Sequence, residues 1–186
     1  MLKQVSSLKL ELEKFEEARE KVISESRNVI QQSKLVIFGL HRGQKVEGEL
    51  SAMKKSMSEL RKLVNKNPKL KYTGTYKVAE QEFVEAIAYS QFRKDGELPD
   101  WKATGCDAEY YLLGICDFAS ELVRTATQLA IDNNIPAVEV IKEMVARLHG
   151  ELLKLNLHGE LRKKADMVRW SLKSLEDLVF QTKMKR

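Results

Sequence analysis

The chain has 186 residues, of which 43% are hydrophobic and 32% charged; that suits one helix-rich domain with a real core. No apolar run reaches the length of a membrane span, and the opening Met1-Leu2-Lys3-Gln4 is polar and periodic, unlike a signal peptide, so a cytoplasmic protein is expected. The net charge of +5 mildly favours an acidic partner such as nucleic acid. Three prolines and nine glycines leave room for long uninterrupted helices.

One long first helix is read from Val5, Leu8, Leu12, Phe15, Val22, Val29, Val36 and Leu40, a heptad-like stripe that packs along a neighbour and bends near Gly39 or Gly43. A second fits Val46 to Asn65, with Leu50, Met53, Met57, Leu60 and Val64 on one face, and Asn65-Lys66-Asn67-Pro68 breaks it. A third fits Tyr76 to Phe92 and is apolar almost all round, which places it in an interior. A fourth fits Asp107 to Ile131, its apolar arc holding Ile115, Phe118, Ala119, Leu122 and Ala126. Pro136 opens a fifth, with Val140, Met144, Leu148 and Leu152 facing in. The last runs from about Glu160 to Lys183, with Met167, Trp170, Leu172, Leu175, Leu178 and Val179 inward. No strand and no repeat is evident. The expected architecture is a single all-α domain over residues 1–186, a bundle of about six helices.

Four acids stand out. Glu82 and Glu85 are three apart on the third helix, and Asp117 and Glu121 four apart on the fourth. Each pair therefore shares a helix face. Apolar neighbours make both helices largely buried, and buried carboxylates need a cation. A magnesium ion, or manganese in its place, takes oxygen ligands and suits phosphoester hydrolysis. The short connection between the two helices lets them run antiparallel, so that all four acids converge. The plainer readings are solvated glutamates, or internal ion pairs to an arginine such as Arg124. A di-iron site is disfavoured, because His41, His149 and His158 do not lie at Glu-x-x-His spacing from these acids. Cys106 and Cys116 form no zinc motif and read as reduced thiols. No phosphate-binding glycine loop is present.

Basic clusters occur at Arg61-Lys62, Lys66 to Lys71, Arg162-Lys163-Lys164 and Lys183-Met184-Lys185-Arg186. A solvated face is the plain reading of each, and the preferred one for the C-terminal cluster. Arg162, Lys163 and Lys164 follow a turn at a helix start and suit phosphate contact, which gives affinity without base specificity.

Three blocks resemble the translin family, and within it the catalytic branch of translin-associated protein X. They are Ser33 to Arg42, Gln81 to Phe92, and Tyr111-Leu112-Leu113-Gly114 through Asp117-Phe118-Ala119-Ser120-Glu121-Leu122. The stretch Leu153 to Leu178, with Leu161-Arg162-Lys163-Lys164, resembles translin itself. The resemblance implies an all-α subunit of a hollow octamer. Translin binds single-stranded nucleic acid and lacks most of the acids, whereas the X-type subunit is a magnesium-dependent endoribonuclease. Glu82 and Glu85 match its first acidic pair, Asp117 and Glu121 its second. One departure is Tyr110, where family members tend to carry an acid. The mixed character suggests a self-assembling homologue of prokaryotic or archaeal type, one chain filling both roles.

The expectation is a metal-dependent endoribonuclease acting on single-stranded or short RNA inside a homo-oligomeric shell, with single-stranded DNA a further ligand. Glu82, Glu85, Asp117 and Glu121 would be both metal ligands and catalytic residues. Arg124, Arg162, Lys163 and Lys164 would contact phosphates. The main rival is a non-catalytic translin-like scaffold that binds single-stranded RNA or DNA. An all-α nucleotide pyrophosphatase ranks lower, because its Glu-x-x-Asp spacing is absent from Asp117 and Glu121. A purely structural helical protein is the third rival.

Overall fold

The computed structural model describes residues 2–184, so Met1, Lys185 and Arg186 of the terminal segments lie outside the described residues. Among these the chain is helical and has no strand: α1 (Leu2–His41), α2 (Glu47–Lys66), a 3-10 turn (Pro68–Tyr72), α3 (Gly74–Asp95), α4 (Trp101–Thr104), α5 (Ala108–Ile131), α6 (Ile135–Leu152) and α7 (Gly159–Met184). The six long helices match the expected ones. The 3-10 turn and the four-residue α4 were not anticipated, since segments this short carry no periodicity to read. The helices form two compact units, Met1–Phe83 and Val84–Arg186, and α3 is continuous through the boundary.

In the first unit α1 packs on α2. Val22, Val29 and Val36 are fully buried, and Ser26 and Ser33 fill the alternate stripe positions between them. The α2 side of this seam is Met53, Met57, Leu60 and Val64. Ser33 donates its hydroxyl to the Met53 thioether across it, at 3.2 Å. The stripe does not bury the start of α1: Val5, Leu8 and Leu12 are exposed. Gly39, in the last turn of α1, has to lack a side chain because a Cβ there would lie 2.6 Å from the Val46 side chain, and Gly43 ends the helix in a left-handed conformation, φ 66°. The Gly39 carbonyl accepts from the Arg42 and Gln44 amides, turning the chain into α2.

In the second unit α5 packs on α6 and α7, and α6 on α7. The apolar arc expected for α5 (Ile115, Phe118, Ala119, Leu122 and Ala126) is buried. Asn134 caps α6 by accepting from the Ala137 amide, with a proline in the first turn. Two inward assignments are corrected. On α6 Met144 and Leu152 are buried as expected, together with Val138, Ile141 and Val145, and Val140 is exposed. On α7 it is Val168, Ser171, Leu175 and Val179, while Met167 and Trp170 are exposed. A small serine at the stripe position Ser171 hid the true register, and the larger Trp170 beside it looked like the core residue. Trp170 instead lies under the cations of Arg169 and Lys173, at 5.3 and 5.6 Å from its ring centre.

Candidate functional site

The fully buried carboxylate of α3 is Glu80, not one of the four acids singled out above. It is 2% exposed. Arg61 of α2 grips it with two parallel bonds, Nε to Oε1 at 3.0 Å and a terminal nitrogen to Oε2 at 2.6 Å. The Tyr76 hydroxyl donates to Oε1 at 2.5 Å, one turn earlier on α3. The guanidinium also stacks on Phe83, 5.3 Å from its centre. A planar guanidinium satisfies both carboxylate oxygens at once, and this permits so deep a burial. In sequence, Arg61-Lys62 looked like one basic cluster. The two residues diverge: Arg61 turns inward, and Lys62 pairs with exposed Glu59 at 2.8 Å.

That clamp anchors the helix on which Glu82 and Glu85 stand. Both are half-buried. Lys34 of α1 approaches Glu82 at 3.9 Å, and the Glu82 side chain is 23% exposed.

Asp117 and Glu121 lie on α5 in the second unit, 22% and 25% exposed at the side chain. Lys164 of α7 donates to Asp117 Oδ1 in a short ion pair. Arg124, one turn along α5, stands 4.0 Å from Glu121. A hydroxyl pair fixes α5 to the second half of α3: Tyr89 and Thr125 share a buried hydrogen bond of 2.7 Å. Thr125 also donates to the Glu121 carbonyl at 3.1 Å. The rings of Tyr89 and Phe92 both meet Phe118. As α3 advances from Tyr89 to Phe92, its contacts on α5 withdraw from Thr125 to Phe118, so the two segments run antiparallel as expected. Tyr89 is one turn beyond Glu85, and Thr125 one turn beyond Glu121. The pin was not read from sequence, because a lone tyrosine and a lone threonine on different helices carry no pairing signal.

Burial pushes the Tyr89 hydroxyl above its ordinary range, against the opposing pull of the Thr125 hydrogen bond and of Arg93 and Arg124. Cys116, between the buried core and Asp117, is pushed up to about 12 by burial first and then by the Asp117 charge. Both cysteines are free thiols and both are buried.

The basic residues separate by direction. Arg124 and Arg162 are largely exposed, and Arg162 pairs with Asp166 at 3.5 Å on its own helix. Lys163 is exposed. Lys164 turns inward, because it stands one turn before the buried Val168 on the same face of α7. Tyr110 is half-buried in the first turn of α5. Among the described residues no three His, Cys, Asp or Glu side chains are gathered closely enough to hold a metal ion. Nor is any described helix long and apolar enough to cross a membrane.

The family model described as Translin matches residues 17–186. An uncharacterised protein of Methanocaldococcus jannaschii is 23% identical over 155 residues, covering 81% of this chain and 70% of that one. The translin-associated protein X homologue of Schizosaccharomyces pombe is 26% identical over 199 residues, covering 94% and 84%. Among solved structures, apo-NeC3PO superposes with a TM-score of 0.90 at 25% identity. AfC3PO in complex with duplex RNA gives 0.80, also at 25% identity. Each covers 98% of both chains.

Proposed function

The chain belongs to the translin family, and from that premise we propose that it is a magnesium-dependent endoribonuclease that cuts single-stranded or short RNA within a homo-oligomeric shell. One observation carries the reading. Acids on two helices are kept only about a quarter exposed, and Glu82, Glu121 and Asp117 are each drawn to a cationic side chain. A partly desolvated carboxylate calls for a cation, which a divalent metal also supplies. AfC3PO, similar in fold to this chain and solved with duplex RNA, supports RNA as the ligand.

The donor set fits magnesium, or manganese in its place. Glu82, Glu85, Asp117 and Glu121 offer carboxylate oxygens alone, the ligand type that hard divalent ions take. These four residues would hold the ion, which when bound supplies Lewis acidity toward a phosphodiester. A carboxylate of the set accepts the proton of the attacking water. The water oxygen would form the new bond to phosphorus as the P–O bond to the leaving ester oxygen breaks, and that oxygen takes its proton from solvent. Arg124, Arg162 and Lys163 present exposed cations to the phosphate backbone, which positions the strand without reading its bases.

The test is cleavage of an end-labelled single-stranded RNA, with magnesium and with a chelator, beside Glu85→Gln. Cutting that needs both the metal and Glu85 supports the reading, and normal cutting by Glu85→Gln refutes the site. The second reading is a scaffold that binds single-stranded RNA or DNA without cutting it. The exposed cations of Arg124, Arg162 and Lys163, which need no metal to hold a phosphate backbone, favour it. It predicts salt-dependent binding that a chelator leaves unchanged. An octamer is the proposed assembly, and a monomer by light scattering at micromolar concentration would contradict the shell.

A further inference from the structure

The ion pairs of the candidate acids differ in kind. Arg124 reaches Glu121 along one helix at 4.0 Å from a side chain 63% exposed, and Lys34 reaches Glu82 at 3.9 Å from one 65% exposed. Pairs of that sort form and break freely in water. Lys164 is different. Its side chain is 24% exposed, and it crosses from α7 to α5 to donate directly to Asp117 Oδ1. The two helices are packed along their length, so the lysine is delivered to Asp117 by the fold rather than by chance.

An ammonium and a divalent cation make the same demand on a carboxylate. Both take its oxygen lone pairs, and both offset its charge in a half-desolvated place. Oδ1 of Asp117 is engaged by Lys164, so a metal ligated there has to compete with it. Lysine is suited to yield, because its charge is a point at the end of a flexible four-carbon stem. The head group can swing away while α7 stays packed.

We propose that Lys164 is a built-in counterion of Asp117 that a divalent metal displaces, and that the displaced ammonium then binds an RNA phosphate beside the site. The proposal rests on the metal-dependent reading of Asp117 given above. It makes metal and RNA cooperate, since the metal releases the lysine that the RNA uses, and by reciprocity RNA tightens the metal. It also gives Lys164 opposite effects on the two ligands. A lysine that merely ties α7 to α5 would not produce that pattern.

The experiment measures Mn²⁺ binding to the full-length protein by the electron paramagnetic resonance signal of free Mn²⁺. Wild type is compared with Lys164→Met, Lys164→Gln and Asp117→Asn. In parallel, binding of a labelled single-stranded RNA is measured with a chelator and with Ca²⁺. The expected result is that Asp117→Asn weakens Mn²⁺ binding, whereas Lys164→Met and Lys164→Gln each tighten it by roughly fivefold, the scale of one part-buried ion pair. The same two variants bind RNA more weakly in the presence of Ca²⁺ and lose the metal's enhancement of RNA binding. Lys164→Arg, which restores a charge able to hold the carboxylate, returns Mn²⁺ affinity to the wild-type level or below. If Asp117→Asn weakens Mn²⁺ binding but neither neutral Lys164 variant tightens it, the counterion proposal is overturned and the metal reading stands. If wild type binds no Mn²⁺, or Asp117→Asn binds it as wild type does, the metal reading of Asp117 fails and the proposal falls with it. Lys164→Gln keeps a polar head on a similar stem, so the comparison survives if Lys164→Met does not fold.

Discussion

Replacing Arg61 with methionine removes the cation from Glu80 while keeping most of the aliphatic stem. The structure sets the size of the effect. Glu80 is 2% exposed and loses two charge-assisted bonds, of 3.0 and 2.6 Å. Removing one partner of a buried ion pair costs ~3–5 kcal/mol, because the remaining charge is left without compensation. The Arg61 side chain is itself 22% exposed, so water reaches that end of the pair, and the Tyr76 hydroxyl still donates to the carboxylate. Both facts place the loss near the lower limit, about 3 kcal/mol. The assay is urea unfolding at fixed protomer concentration, where the midpoint should fall with the slope unchanged. Adding Glu80→Met should return ~1–2 kcal/mol, since a pair of apolar side chains leaves no buried charge. A loss under about 1 kcal/mol for Arg61→Met, or a double variant no more stable than the single, would refute the assignment of Arg61 as the cation that allows Glu80 to be buried.

Other outcomes follow from the same structure. Glu85→Gln should lower RNA cleavage by at least ~100-fold while RNA affinity in a filter-binding assay stays within a few-fold, as expected for a group needed in the chemical step. Gly39→Ala should cost about 1–3 kcal/mol in thermal or urea unfolding, because the added methyl meets Val46 at 2.6 Å and both chain segments are fixed by the turn. Tyr89→Phe should cost roughly 1–2 kcal/mol by removing a buried hydroxyl bond to Thr125, and an unchanged melting curve would show that bond to be idle. Alkaline pH should destabilise the protein through Cys116: its thiol ionises near its ordinary value in the unfolded chain but only at about 12 when folded. Above pH ~9 the unfolded state therefore binds fewer protons, and stability falls by up to ~1.4 kcal/mol per pH unit until the folded thiol also ionises. Cys116→Ala should remove that part of the slope between pH 9 and 11.

The bundle could be read from the sequence because its signals are local. Val22, Val29 and Val36 on α1, and Met53, Met57, Leu60 and Val64 on α2, repeat at helical spacing, and the structure buries them as that spacing requires. The pairing of acids on α3 and on α5 was equally plain, since three or four residues along a helix fix a shared face. Register was less secure where side-chain size misled. Trp170 looked like a core residue, yet Ser171 occupies the buried position and the tryptophan stands in solvent between two cations.

Which charge meets which was decided only by the tertiary structure. Arg61 and Lys62 are neighbours in the chain, but one holds the buried Glu80 and the other a surface glutamate. Lys163 and Lys164 look alike in sequence, but only the second crosses to Asp117, 47 residues away. The Tyr89–Thr125 hydroxyl pair has the same character. Helix periodicity is a property of neighbouring residues and is written along the chain. An ion pair or hydrogen bond between helices depends on the rotation and offset at which those helices pack, and these are set by many side chains acting together. The sequence by itself therefore determined that this protein is a bundle of long helices carrying two acidic pairs, and only the packing of those helices decided which cation each acid meets.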